Sequence, residues 1–331
     1  MAQTRENLPS ENLIHSSAHV EPGLAAKPLE DDPELVIRPT KVSSPGRDAV
    51  RRFRRNWAAV VSLAIILICV LAAIFAPFLH TANPLIPDYN LVDAPPNAHH
   101  WFGADGVGRD IYTRILFGMR VPLIVGVLGT VITVLLGALL GLLAGYFGGI
   151  IDSLLSRFTD LIFAFPAFLL ALLCVSLFGQ AFDAYFGGAG RVIVLTMIFA
   201  VVGWPGLMRF IRSLVLQLKE QQFVEAARTS GSSTRTILTR HLLPNMWGLI
   251  LIQGSFVVVS FIYLEAVLSL FGLGVSPPNP DLGRMLFEGT EKLTTAPWET
   301  IVPATVLTML ILCFTFLGDG IRDAVDPRMN N

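Results

Sequence analysis

The residues of this 331-residue chain that could carry chemistry are few and widely spaced. His99 and His100 offer two adjacent imidazoles, but a metal site needs a further ligand at helical or hairpin spacing, and a solvated loop is the simpler reading. Arg109, Asp110, Arg114 and Arg120 form a charged run in which Arg109 or Arg114 can pair with Asp110; the run can instead pack under a gate or meet an external protein. Arg157 and Asp160 are spaced to pair on one helical face, and Asp152 suits a helix start. Glu265 lies alone between Leu264 and Ala266 in an apolar run, where an unpaired charge is costly. It is expected to face a partner or a polar interior, or to bond a neighbouring helix. The sequence has no phosphate-cradling lysine loop, nucleophile elbow or paired catalytic carboxylates, so no hydrolytic chemistry is expected on this chain.

The elements that position these residues are hydrophobic. The chain is 53% hydrophobic and only 15% charged, against roughly 25% charged in an ordinary soluble domain. An all-α polytopic membrane protein follows, and a net charge of −1 argues against a basic nucleic-acid binder. A helix needs about 20 apolar residues to cross the hydrocarbon core, and six stretches qualify: 57–79, 121–147, 158–180, 191–211, 246–272 and 298–318. Pro166 and Pro205 are expected to kink the third and fourth. Gly137, Gly141 and Gly145 line one face of the second, which suits close packing. Cys69, Cys174 and Cys313 all fall inside spans as small packing residues, without disulfide or zinc spacing.

Arg51, Arg52, Arg54 and Arg55 precede the first span and should hold that end in the cytoplasm; six crossings then return the C-terminus to the same side. Arg109, Arg114 and Arg120 run against this bias from an outer loop and need a separate explanation. Residues 1–50 read as a disordered cytoplasmic tail, 51–118 as the first span with an outer segment, 119–320 as a five-helix core, and 321–331 as a cytoplasmic C-terminus. The tail lacks the pattern of a cleavable signal peptide.

One polar island, Glu225 to Asn245, interrupts the apolar runs. A surface helix over 216–230 is expected, then a turn at Gly231, then a second helix capped by Ser232 or Ser233, with Ile237, Leu238, His241 and Leu242 on its apolar face. Pro244 is expected to end that helix just before the fifth span. Ala226 and Ala227 leave room for another backbone beside Glu225, whose carboxylate can accept from a docking donor. The alternative is a loop that merely folds along the membrane surface.

The island's Glu-Ala-Ala, Gly231 and hydrophobic-Leu243-Pro244 ending resemble the EAA motif of permease subunits in bacterial ABC importers. The likeness continues in His100-Trp101-Phe102-Gly103-Ala104-Asp105-Gly106, Gly108-Arg109-Asp110, Gly145-Tyr146-Phe147-Gly148-Gly149, Phe271-Gly272-Leu273-Gly274-Val275, Pro277-Pro278 and Gly318-Asp319-Gly320. These are similar to the "C"-type permease of the dipeptide and oligopeptide subfamily, which also serves glutathione and nickel complexes. Leu282 stands where many members carry Trp, and residues 181–190 look like an expanded outer loop.

The resemblance implies a type I importer permease fold without a cofactor of its own. It also implies a homologous second permease, two ATPase subunits that bring ATP and Mg, and an extracytoplasmic substrate-binding protein. The coupling segment 216–244, with Glu225, Ala226, Ala227, Gly231, Leu243 and Pro244, would rest in the ATPase. Glu265, Arg109, Asp110 and Arg120 are the pathway or gate candidates. A secondary transporter would normally show more spans, internal repeats or several mid-membrane charges. A membrane-embedded enzyme would need an acidic or histidine cluster that is not evident in the sequence.

Overall fold

The computed structural model describes residues 45–325, which all belong to one of the chain's two compact units, Ser44–Asn331. The tail up to residue 44 and residues 326–331 of the expected C-terminal segment lie outside the described residues. Every regular element among the described residues is helical, with one isolated antiparallel bridge between Ala104 and Asp110.

The basic segment forms helix α1 (Pro45–Arg55), and the side chain of Asn56 accepts from the Ala59 amide to start α2 (Trp57–Ile74). A stretch with only short helical turns at Ala76–Leu79 and Tyr89–Leu91 leads to α3 (Ile111–Phe147), which Asp110 caps through the Thr113 amide. Next come α4 (Gly149–Phe163), α5 (Ala167–Phe186) and α6 (Gly190–Leu218). The island contributes α7 (Gln222–Thr229) and the start of α8 (Thr234–Leu270). The chain closes with α9 (Leu282–Thr290) and α10 (Trp298–Val325).

Five helical stretches are long and apolar enough to cross a membrane. One of them, Ala167–Leu218, comprises α5 and α6. These fold back on each other at Gly187–Ala189, where Arg191 reaches Asp183 at 2.8 Å. The six crossings expected from the sequence would require α5 and α6 each to cross, against the five stretches found.

Several boundaries differ from expectation. The third apolar stretch was expected at 158–180, but Pro166 separates two helices instead of kinking one, because the residue before a proline avoids helical dihedrals. Residues 158–163 therefore end α4. Pro205 does stay inside α6, which runs on to Leu218 and takes up the residues expected to open the island. Residues 181–190 are largely the end of α5 and a tight turn, not an expanded loop. Pro244 does not stop its helix either. A π-helical stretch at Ile237–Leu242 leads directly into Leu243, so α8 runs through without a break. Widened turns of this kind accommodate the carbonyl that a proline cannot satisfy.

The small-residue face of α3 meets α6. A Cβ on Gly137 would lie 2.9 Å from Leu207, one on Gly141 2.7 Å from the Met208 carbonyl, and one on Gly145 2.7 Å from Val215. A second cluster joins Ile66 and Cys69 of α2 to Ile115 of α3, Ile262 of α8, Leu282 of α9 and Leu310 of α10. The first apolar helix thus shares a core with the rest of the unit. Leu282, at the position expected for Trp, is fully enclosed in that cluster.

Candidate functional site

The island is built in two halves about Gly231. Helix α7 ends in a turn in which the Gly231 amide donates to the Arg228 carbonyl and the Ser232 amide to the Ala227 carbonyl, both at 3.0 Å. That pair of bonds closes a helix only if the intervening residue is left-handed, and Gly231 has φ +76 with open space around its α-carbon. The glycine is required by its backbone angle. Ser233 then starts α8 by accepting from the Thr236 amide.

One face of α7 is anchored. Val224 and Ala227 are buried with Leu142 of α3, Ile211 and Val215 of α6, and Ile237, Leu242, Met246 and Ile250 of α8. Arg228 lies over the Tyr146 ring at 5.4 Å. The other face is open: Glu225, Ala226 and Gly231 are exposed. Of the two alanines expected to admit a partner, Ala226 is available while Ala227 packs inward. Leu243 is half-buried and Pro244 exposed.

At the same end of the bundle α4 is clamped to α6. Arg212 donates to both oxygens of Asp152, with Nη2 at 2.6 Å, and holds that carboxyl below its usual range. Arg209 pairs with Asp160, donates to Thr159 Oγ1 and lies 4.5 Å from the Phe163 ring. The expected Arg157–Asp160 pair is therefore replaced: the longer-range arginine takes the carboxylate. Arg209 and Arg212 sit in an apolar run and escape sequence reasoning, although their i, i+3 spacing was a usable signal.

The opposite end, which carries α9, gathers the charged run. Arg109 bonds Asp105 at 2.8 Å and Glu288 at 3.1 Å, while Arg114, only 1% exposed, reaches the same two carboxylates at 3.4 and 3.2 Å. Arg284 completes the network through Glu288 at 2.8 Å. Asp110 pairs with neither expected arginine, because its carboxylate is committed to the Thr113 amide, Thr81 and His100. His100 thereby gains a partner, and the described residues contain no cluster able to hold a metal. Arg120 donates to the Ala73 carbonyl at 2.8 Å, closing the end of α2. Gly108, at φ +82, lies so close to Asp88 that a Cβ would fall 1.8 Å from its carbonyl oxygen. Lys292 pairs with Asp93, raising the lysine and lowering the carboxyl.

Glu265 is fully enclosed within the chain, accepting from Ser269 at 2.9 Å and lying beside the equally buried Asp281. Asp281 starts α9 by accepting from the Arg284 amide, and burial pushes its carboxyl upward. Glu288, Arg284 and Asp281 were not singled out from sequence; the Arg284–Glu288 spacing of four is the signal that could have found two of them.

The family model described as "Binding-protein-dependent transport system inner membrane component" matches residues 137–331, and that of the "N-terminal TM domain of oligopeptide transport permease C" matches 44–96. The chain is 37% identical to the oligopeptide transport system permease protein OppC of Haemophilus influenzae over 284 residues, covering 85% of this chain and 88% of that one. It is 38% identical to the glutathione transport system permease protein GsiD of Escherichia coli, over 89% of this chain and 94% of that one. The corresponding protein of Salmonella typhimurium is 40% identical at the same coverage. With the first model spanning more than half the chain and such relatives aligned along most of it, this protein belongs to the inner-membrane permeases of binding-protein-dependent ABC importers.

Proposed function

We propose that the chain is one permease subunit of an importer that moves peptides across the cytoplasmic membrane by alternating access, driven by ATP hydrolysed on separate subunits. The observation that carries this is the two-faced α7. Its inner face is part of a core shared with α3, α6 and α8, while Glu225, Ala226 and Gly231 are left open on the other. A force applied to that patch reaches three spanning helices without crossing a flexible joint, which suits rigid-body switching between two access states.

On this reading the α7 end is cytoplasmic, together with the basic helix α1, and meets two ATPase subunits that bring ATP and Mg. A second, homologous permease completes the pathway. The α9 end faces a substrate-binding protein. The peptide assignment is supported by the oligopeptide relative and the matching N-terminal model; the glutathione relatives, of similar identity, favour a second cargo that is itself a tripeptide. Glu265, Arg109, Asp110 and Arg120 all find partners within the chain, which favours roles in holding α9 and the start of α3 in place over roles lining the pathway.

The test is reconstitution with the partner subunits and Glu225→Lys. The variant is expected to reach the membrane in normal amount yet lose substrate-stimulated ATP hydrolysis and uptake. Unimpaired coupling would sink the proposal.

A further inference from the structure

A groove of about 750 Å³ runs between α2 and α10 on the side of the bundle, lined by Val61, Ile65, Ile301, Met309, Leu312 and Phe316 among others. From Ile301 to Phe316 it follows α10 for about 22 Å at helical rise. Its walls are almost wholly apolar, and both helices belong to the membrane-crossing set. Few polar contacts are open to a ligand there, chiefly the hydroxyls of Ser62, Thr305 and Thr308.

Close to one end, where Trp57 lines the groove and is 77% exposed, lies a second hollow of about 530 Å³ on α1. Arg47, Arg51, Arg54 and Arg55 surround it with Val50, all exposed and on one helical face. The corner between α1 and α2 is tied to α10: Asn56 donates to Asp323 at 3.1 Å, and a Cβ on Gly320 would lie 2.2 Å from that of Ala59. A cationic hollow beside an apolar channel matches a molecule with an anionic head and a hydrocarbon tail.

We propose that this site holds an anionic phospholipid, its phosphate on Arg51, Arg54 and Arg55 and one acyl chain along the groove between α2 and α10. Charge complementarity selects the occupant, because a zwitterionic lipid would bring a choline or ethanolamine cation to the arginines. A single turn of basic residues marks topology in any membrane protein; here the same turn is joined to an acyl-sized channel.

The test uses the assembled transporter in detergent, exchanged against mixed micelles of phosphatidylglycerol and phosphatidylcholine in equal amounts, with retained lipid read by native mass spectrometry. Retention of phosphatidylglycerol at least about fivefold over phosphatidylcholine is expected. The triple change Arg51→Gln, Arg54→Gln, Arg55→Gln should bring the ratio of the two retained lipids close to one, since the basic groups near the anionic headgroup are what distinguish them. The three Lys substitutions should preserve it. Ala304→Trp, which fills the groove and leaves every arginine, should lower phosphatidylglycerol retention without altering subunit assembly. Equal retention of the two lipids, or a preference unmoved by the Gln and Trp variants, would overturn the proposal. So would a photo-cross-linker placed at Thr305 that captures the second permease in place of lipid.

Discussion

Individual charges in this protein differ greatly in what they hold. Arg114 is enclosed, with Asp105 and Glu288 on its guanidinium, whereas Arg209 pairs with Asp160 where the side chains are 42% and 69% exposed. Removing one member of a buried ionic group strands the others in a low-dielectric site, at a cost of roughly 3–5 kcal/mol, while an exposed pair contributes under about 1 kcal/mol. Arg114→Met is therefore expected to lower the midpoint of thermal unfolding in detergent severely, and Arg209→Gln to move it slightly. Comparable midpoints for the two variants would contradict the network. Sequence alone placed Arg114 in an odd position, a cation on the expected outer side; Asp105 is a near neighbour in the chain, but Glu288 lies 174 residues away on α9. Only the fold brings them together.

At the scale of elements, what could be read from the sequence depended on how local the cause was. The turn at Gly231, the Ser233 cap and the glycine face of α3 follow from residues a few positions apart, and all three stand in the structure. The end of α4 has a local cause, Pro166, expected to kink a helix and not to end one, while α6 continues past Arg209 and Arg212, which bond α4, and α8 begins ten residues before Pro244. The α4–α6 clamp has a pH signature. Hydrogen bonds from Arg212 depress the Asp152 carboxyl in the folded protein, so its stabilisation is present above the ordinary carboxylate pKa of about 3.9 and is lost as pH falls through the folded value. Asp152→Asn should destabilise the protein at neutral pH, and the gap from wild type should narrow as the medium is acidified toward pH 3. Parallel stability curves for the two proteins would show that the pair contributes nothing.

Over the whole molecule, a lever works only if its two ends lie on defined sides of the bilayer. The island, the α4 clamp and α1 gather at one end through contacts with α3, α6, α8 and α10, while the Asp105–Arg114–Glu288 network and α9 occupy the other. On the proposed topology that division needs an even number of crossings, and the fold-back of α5 on α6 at Gly187–Ala189 would supply it. If Ala167–Leu218 crossed once, everything after it would change sides. Single cysteines can decide this in a background lacking the native three, of which Cys69 and Cys313 are buried. Gly46→Cys and Ser230→Cys should resist a membrane-impermeant maleimide in intact cells and react in inverted vesicles, whereas Ala98→Cys and Thr294→Cys should do the reverse. Ser230→Cys should also lose reactivity in inverted vesicles when the ATPase subunits are present, because it lies beside Gly231 on the open face of the island. Labelling of Ser230→Cys and Thr294→Cys from the same side would break the six-crossing arrangement and, with it, the mechanical link between the α7 patch and the α9 end.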